Sequence, residues 1–170
     1  MIGSHDSGAG PLQYDNEFWR FSLAVYCQAE VEQECLTLQQ ALGIDVNLLL
    51  FCAWLGTRGI TLSQEQILAA SVAVGTWHDQ VVQPLRGVRQ QIKAFKRDAF
   101  ENYRTKVKGT ELEAEQIEQA LLYDFSKNNS LRAEISAEAI ARNVNAFIAM
   151  KGSKTSAPQL IAAASHYKTS

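Results

Sequence analysis

Few residues in this chain carry side chains suited to chemistry near neutral pH, and the most reactive of them is His78, in Trp77-His78-Asp79. An imidazole there could move a proton or bind a metal. Successive residues on a helix point about 100° apart, so Asp79 is not its partner. A partner has to come from one turn away, at Val74 or Val82, or from another helix. A lone histidine supplies neither a metal site nor a catalytic triad, and a half-buried ring with one satisfied nitrogen is the expected outcome.

Asn47 is the second candidate, because it is the only polar residue between Val46 and Leu55. A buried amide that finds no partner loses about 1 to 3 kcal/mol. Asn47 therefore either meets a ligand at a helix N-terminus or, as the expected reading, makes a structural hydrogen bond to a neighbouring loop or helix end.

The third candidate is a charge pattern. Between Pro84 and Lys108, Arg86, Arg89, Lys93, Lys96, Arg97, Arg104, Lys106 and Lys108 face only Asp98 and Glu101, in a chain of net charge -2. One reading is a solvated face paired with Glu111, Glu113, Glu115 and Glu118 of the next helix. The other is a basic helix that meets nucleic acid, an anionic protein or a phosphate-bearing ligand. No exposed aromatic interleaving is evident to support single-strand stacking. Familiar catalytic grammar is missing too: there is no phosphate-cradling glycine loop, no H-E-x-x-H, no G-x-S-x-G and no E-x-x-H pair.

The elements that must position these residues are helical. Asp15 is expected to cap a first helix with Tyr14, Phe18, Phe21 and Val25 on one stripe, and Val31, Cys35, Leu38 and Leu42 repeat that spacing in a second. After the stop at Gly43, Asp45 caps a central helix so apolar that no single face is marked, and Gly59 ends it. Ser63 and Gln66 form a capping box for a fourth helix with Ile67, Ala70, Val74, Trp77 and Val81 inward.

Pro84 kinks that helix or opens a fifth, whose seam Leu85, Val88, Ile92, Phe95 and Ala99 runs on to about Lys108, before a stop at Gly109. A sixth follows with Ile117, Leu121 and Phe125 inward, and a last one runs from about Ser136 to Met150. The fold class is all-α: an irregular bundle of six or seven helices around a buried central helix at about 45–57. Residues 1–13 read as a mobile lead, 14–150 as one helical domain and 151–170 as a mobile basic tail.

Several strings together, Phe18-Trp19-Arg20-Phe21-Ser22-Leu23, Asp45-Val46-Asn47-Leu48-Leu49-Leu50-Phe51, Trp54-Leu55 and Pro84-Leu85-Arg86, resemble a proteobacterial domain-of-unknown-function family of short cytoplasmic helical proteins. The resemblance spans about residues 15–150. Glu30 and Gln90 depart from its pattern, which usually has Gly and a basic residue there. It implies a helical fold and supplies no catalytic residue.

Function is therefore read as a non-enzymatic binding or adaptor module using the basic helix at 84–108. The alternative is a small-molecule or enzymatic site between the central helix and the Trp77 helix. Candidate binding residues are Asn47, Trp77, His78, Arg86, Arg89 and Lys93, with no catalytic residue, metal or cofactor assigned. The expected partner is an anionic protein or nucleic acid, and surplus apolar helix surface leaves a homodimer open. No apolar run is long enough to span a membrane and there is no C-x-x-C pair, so the expected location is the cytoplasm.

Overall fold

A computed structural model describes residues 10–129, 131, 136 and 138–168. They form α1 (Glu17–Tyr26), α2 (Ala29–Leu42), α3 (Val46–Thr57), α4 (Gln64–Trp77), α5 (Gln83–Ile92), α6 (Asp98–Asn128), α7 (Ala139–Met150) and α8 (Pro158–His166). A π-helical turn, His78–Val82, joins α4 to α5, so these three run as one continuous helix. The architecture is all-α, with no strand among the described residues. Residues 1–9 of the expected mobile lead lie outside the described residues.

The central helix is α3, and every residue from Asn47 to Gly56 is buried. Asp45 starts it: Oδ1 accepts from the Asn47 N–H (2.8 Å) and the Leu48 N–H (3.3 Å). The left-handed residues Gly43 (φ 61°) and Gly59 (φ 72°) bracket it, because each chain reversal needs a backbone conformation that costs glycine little. Across it lies α7, at very close range. A Cβ on Gly56 would stand 2.4 Å from the Ile140 Cα, so only glycine permits this crossing. Buried Asn143 pins the same junction, accepting from the Leu62 N–H (2.8 Å) and donating to the Ile60 (2.7 Å) and Cys52 (3.1 Å) carbonyls.

Four local expectations are corrected. Asn16, not Asp15, caps α1 by accepting from the Trp19 N–H (2.8 Å), while Asp15 pairs with Arg20. Tyr14 is exposed and leaves the stripe to Phe18, Phe21 and Val25. The basic helix is two helices, because the chain turns between Ile92 and Asp98 and then runs uninterrupted through Gly109. Asp98 and Glu101 lie in the first turn of α6, where negative charge suits the positive helix end. Phe95, Phe100 and Tyr103 are exposed around this turn rather than buried along a seam, so exposed aromatics do interleave with Lys93, Lys96 and Arg97.

The segment after Lys151, expected to be loose, carries α8. Ala157, Leu160 and Ala164 are buried, and the Glu34 carboxylate accepts from the Gln159 and Leu160 N–H groups at the start of the helix.

Candidate functional site

His78 lies one regular helical turn after Val74, to whose carbonyl its N–H donates, and the π turn begins there. A regular helix would carry the buried stripe from Val74 through Trp77 to Val81. The wider turn, in which the Gln83 N–H donates to the His78 carbonyl, advances the phase by about one residue. The buried positions become Val74, His78 and Val82, with Trp77 and Val81 only half-buried. Pro84 gives a local reason, since it has no N–H to return to the Gln80 carbonyl.

His78 then meets residues from two other helices. Its Nδ1 lies 3.2 Å from both oxygens of Glu118, which is fully buried, and 3.4 Å from Asp45 Oδ2. Asn47 donates from Nδ2 to Glu118 Oε2 (3.2 Å) and accepts from Gln119 Nε2 (2.8 Å). The Gln83 amide reaches the other ring nitrogen, Nε2, at 2.9 Å. Donating to a neutral ring, it leaves the ring proton on Nδ1, facing the carboxylates.

These neighbours set the charge states. Burial, and then the charge of Glu118 and a hydrogen bond shared with it, hold the Asp45 carboxyl well above its ordinary 3.8. His78 is also raised, from 6.5: burial favours the neutral ring but is outweighed by the hydrogen bond to Glu118 and the charges of Asp45 and Glu118. Both groups bind protons more tightly folded than unfolded. The stability linked to them is present below the unfolded pKa and lost as pH rises through the folded one. Around neutrality His78 governs this, so the melting temperature is expected to be higher at about pH 6 than at about pH 8, with His78→Gln flattening the slope. A melting temperature that climbs between those values, or a slope unchanged in the variant, contradicts the assignment.

Beside this cluster lies a cleft of about 420 Å³ between α1, α2, the start of α3, α5 and α6. Asn47 and Gln119 line it, so they belong to both cluster and cleft, while Trp19, Leu23, Tyr26, Val46 and Leu50 give it apolar walls. Arg86 and Arg89 line it as well, but they are largely committed. Arg86 donates to Glu111 (3.1 Å) and Glu115 (2.6 Å), and Arg89 grips Glu111 with Nε and, at 3.1 Å, Nη2. The cation-rich stretch is thus partly neutralised by the glutamates of α6. Burial raises Tyr26 to about 12, so its phenol stays neutral.

Three buried polar atoms in the wall of this cleft have no partner: Ser22 Oγ, Arg86 Nη1 and Gln119 Oε1. Thr61 Oγ1 is the other such atom among the described residues, and it lies elsewhere. A larger, more open depression of about 570 Å³ between α1, α2 and α8 has none of them in its lining.

Of the six sequence candidates, Asn47 and His78 meet at Glu118, and Asn47, Arg86 and Arg89 share the cleft. Trp77 is a strut, its Nε1 donating to the Ala114 carbonyl (2.9 Å), and Lys93 is exposed on the α5–α6 turn. Sequence reasoning missed Glu118, Gln119 and Ser22 and took Asp45 for a cap alone. One signal was available: Val107, Glu111, Ala114, Glu118 and Leu122 fall at helical spacing, and all five are buried.

Fold and site together define an all-helical protein with a buried His-carboxylate cluster next to a half-apolar cleft. The chain belongs to the DUF2390 family, described as a protein of unknown function, whose model matches residues 17–122. That span contains the whole cluster and the lining of the cleft. No curated protein and no solved structure matches the chain. No described helix is long and apolar enough to cross a membrane.

Proposed function

We propose that this protein binds a small amphiphilic molecule in the cleft between α1, α3, α5 and α6. The observation that carries the reading is that Ser22, Arg86 and Gln119, each with a buried and unpartnered polar atom, all line one cavity. Each such group costs about 1 to 3 kcal/mol when left empty, which a ligand's polar end would recover. Arg86 Nη1 can only donate, Gln119 Oε1 can only accept, and a serine hydroxyl does either. The ligand's polar end therefore carries both an acceptor and a donor, as a carboxamide does.

Glu32, Glu111 and Glu115 balance Arg86, Arg89 and Lys108 around the cleft, which favours a ligand of little net charge. The volume falls in the range of about 300 to 1,000 Å³ usual for small-molecule sites. A reducing, cytoplasmic setting suits the free thiols of Cys27, Cys35 and Cys52. The second reading is an anionic partner at the exposed α5–α6 turn, with Lys93, Lys96 and Arg97, and Lys93→Glu serves as its marker in the same experiment.

The test is ligand-observed NMR of the full chain against a library of small amide- and hydroxyl-bearing molecules with an apolar body. Mutually competing binders are expected. Ser22→Ala removes a hydroxyl that has no partner, so it should leave the melting temperature nearly unchanged while weakening binding several-fold; Arg86→Lys should weaken it further, and Lys93→Glu should have no effect. Binders indifferent to Ser22→Ala and Arg86→Lys, no binders at all, or binding lost on Lys93→Glu would overturn the cleft reading, the last in favour of the basic turn.

A further inference from the structure

We infer that Asp45, His78 and Glu118 form a binding site for a single divalent transition-metal ion, with Zn2+ as the best-matched type. Each offers one ligand atom, and the three atoms lie within 4.8 Å of one another. His78 Nδ1 stands 3.2 Å from Glu118 Oε2 and 3.4 Å from Asp45 Oδ2. Ligands about 2.0 to 2.1 Å from a tetrahedral zinc are separated from each other by about 3.4 Å, so these edges need little adjustment to close on an ion.

The charges agree. The side chains of Asp45, His78 and Glu118 meet at the centre of three packed segments, and a dication there would be neutralised by the two carboxylates. Arg86, whose charge is felt at His78, is already taken by Glu111 and Glu115. Asp45 keeps its place as well, since Oδ1 caps α3 while Oδ2 faces the histidine.

The second coordination layer is present. A metal-bound histidine usually donates its other N–H to an oxygen, and the Gln83 amide sits 2.9 Å from His78 Nε2, where turning it over offers its carbonyl. Asn47 donates to Glu118 and would orient that ligand in the same way. Access is also provided, because the side chains of His78 and Asp45 remain 11% and 15% exposed. Three protein ligands leave a position for water, the arrangement of catalytic rather than structural zinc. A π turn that carries one of the ligands is a further local departure of the kind found at functional sites.

This site does not depend on the ligand reading, because none of the three residues lines the cleft. The experiment is titration of the chelator-stripped full chain with Co2+, followed by its visible absorption, and then with Zn2+ by calorimetry. The expected result is saturation at one equivalent, with Zn2+ displacing Co2+. His78→Gln and, separately, Asp45→Asn, which retains a good helix cap, should each weaken binding by more than about 10-fold at unchanged far-UV circular dichroism. His166→Asn should leave it intact. No saturable binding, affinity unchanged in both site variants, or loss on His166→Asn would overturn the assignment.

Discussion

Replacing Glu118 with alanine is expected to cost about 3 to 5 kcal/mol of unfolding free energy, read as a fall in the urea midpoint. Glu118 is wholly enclosed, and its carboxylate is the meeting point of His78 from the π turn and Asn47 from α3. Truncation leaves the amide and the imidazole facing a void. Glu118→Gln should cost distinctly less. It keeps the shape and an acceptor for Asn47, and it removes the repulsion that lifts the Asp45 carboxyl. Equal losses in the two variants would mean that charge, not packing, holds α6 here; no loss in either would mean that the cluster does not form.

Gly56→Ala is expected to destabilise by about 3 kcal/mol, at the upper end of overpacking losses. The added methyl would meet the Ile140 Cα at 2.4 Å and its N at 2.6 Å, and backbone atoms cannot swing aside as a side-chain tip can. The contact lies where α7 crosses the central helix, so relief requires the two helices to move apart. Gly75→Ala provides the comparison. Nothing lies within 4 Å of its Cβ position in α4, and an alanine there should instead stabilise by up to about 1 kcal/mol through helix propensity. Thermal melts of the two variants should therefore move in opposite directions.

The sequence made the central helix legible because burial on all sides leaves an unbroken apolar run, and Asp45, Gly43, Gly59 and the Ser63–Gln66 capping box act through local chemistry alone. What it hid depended on tertiary geometry. The seam through Leu85, Ile92 and Phe95 continues the helical period past the real turn, and no glycine or proline marks the break; the acidic start at Asp98 was the one local sign.

His78 was left out of the expected seam of Val74, Trp77 and Val81, whereas it lies one regular turn after Val74 and the π turn then brings Val82 onto the same face. Glu118 looked like part of a solvated acidic run, since a buried glutamate is betrayed only by the apolar Val107, Ala114 and Leu122 that share its stripe. Asn143 gave no sign at all: its three partners lie 81 to 91 residues away. Asn47 makes structural hydrogen bonds, but to the interior of α6 rather than to a loop or helix end, and it also lines the cleft.

The site depends above all on one contact: α3, the π turn and α6 are joined by a buried polar cluster in which His78 and Glu118 touch. A double-mutant cycle of His78→Gln and Glu118→Gln, followed by urea unfolding near neutral pH, tests it most directly. The predicted result is a coupling energy above about 1 kcal/mol, since groups in one hydrogen-bonded network do not act independently. Losses that add to within about 0.3 kcal/mol would show that the two side chains do not meet, and would contradict the site described for this fold.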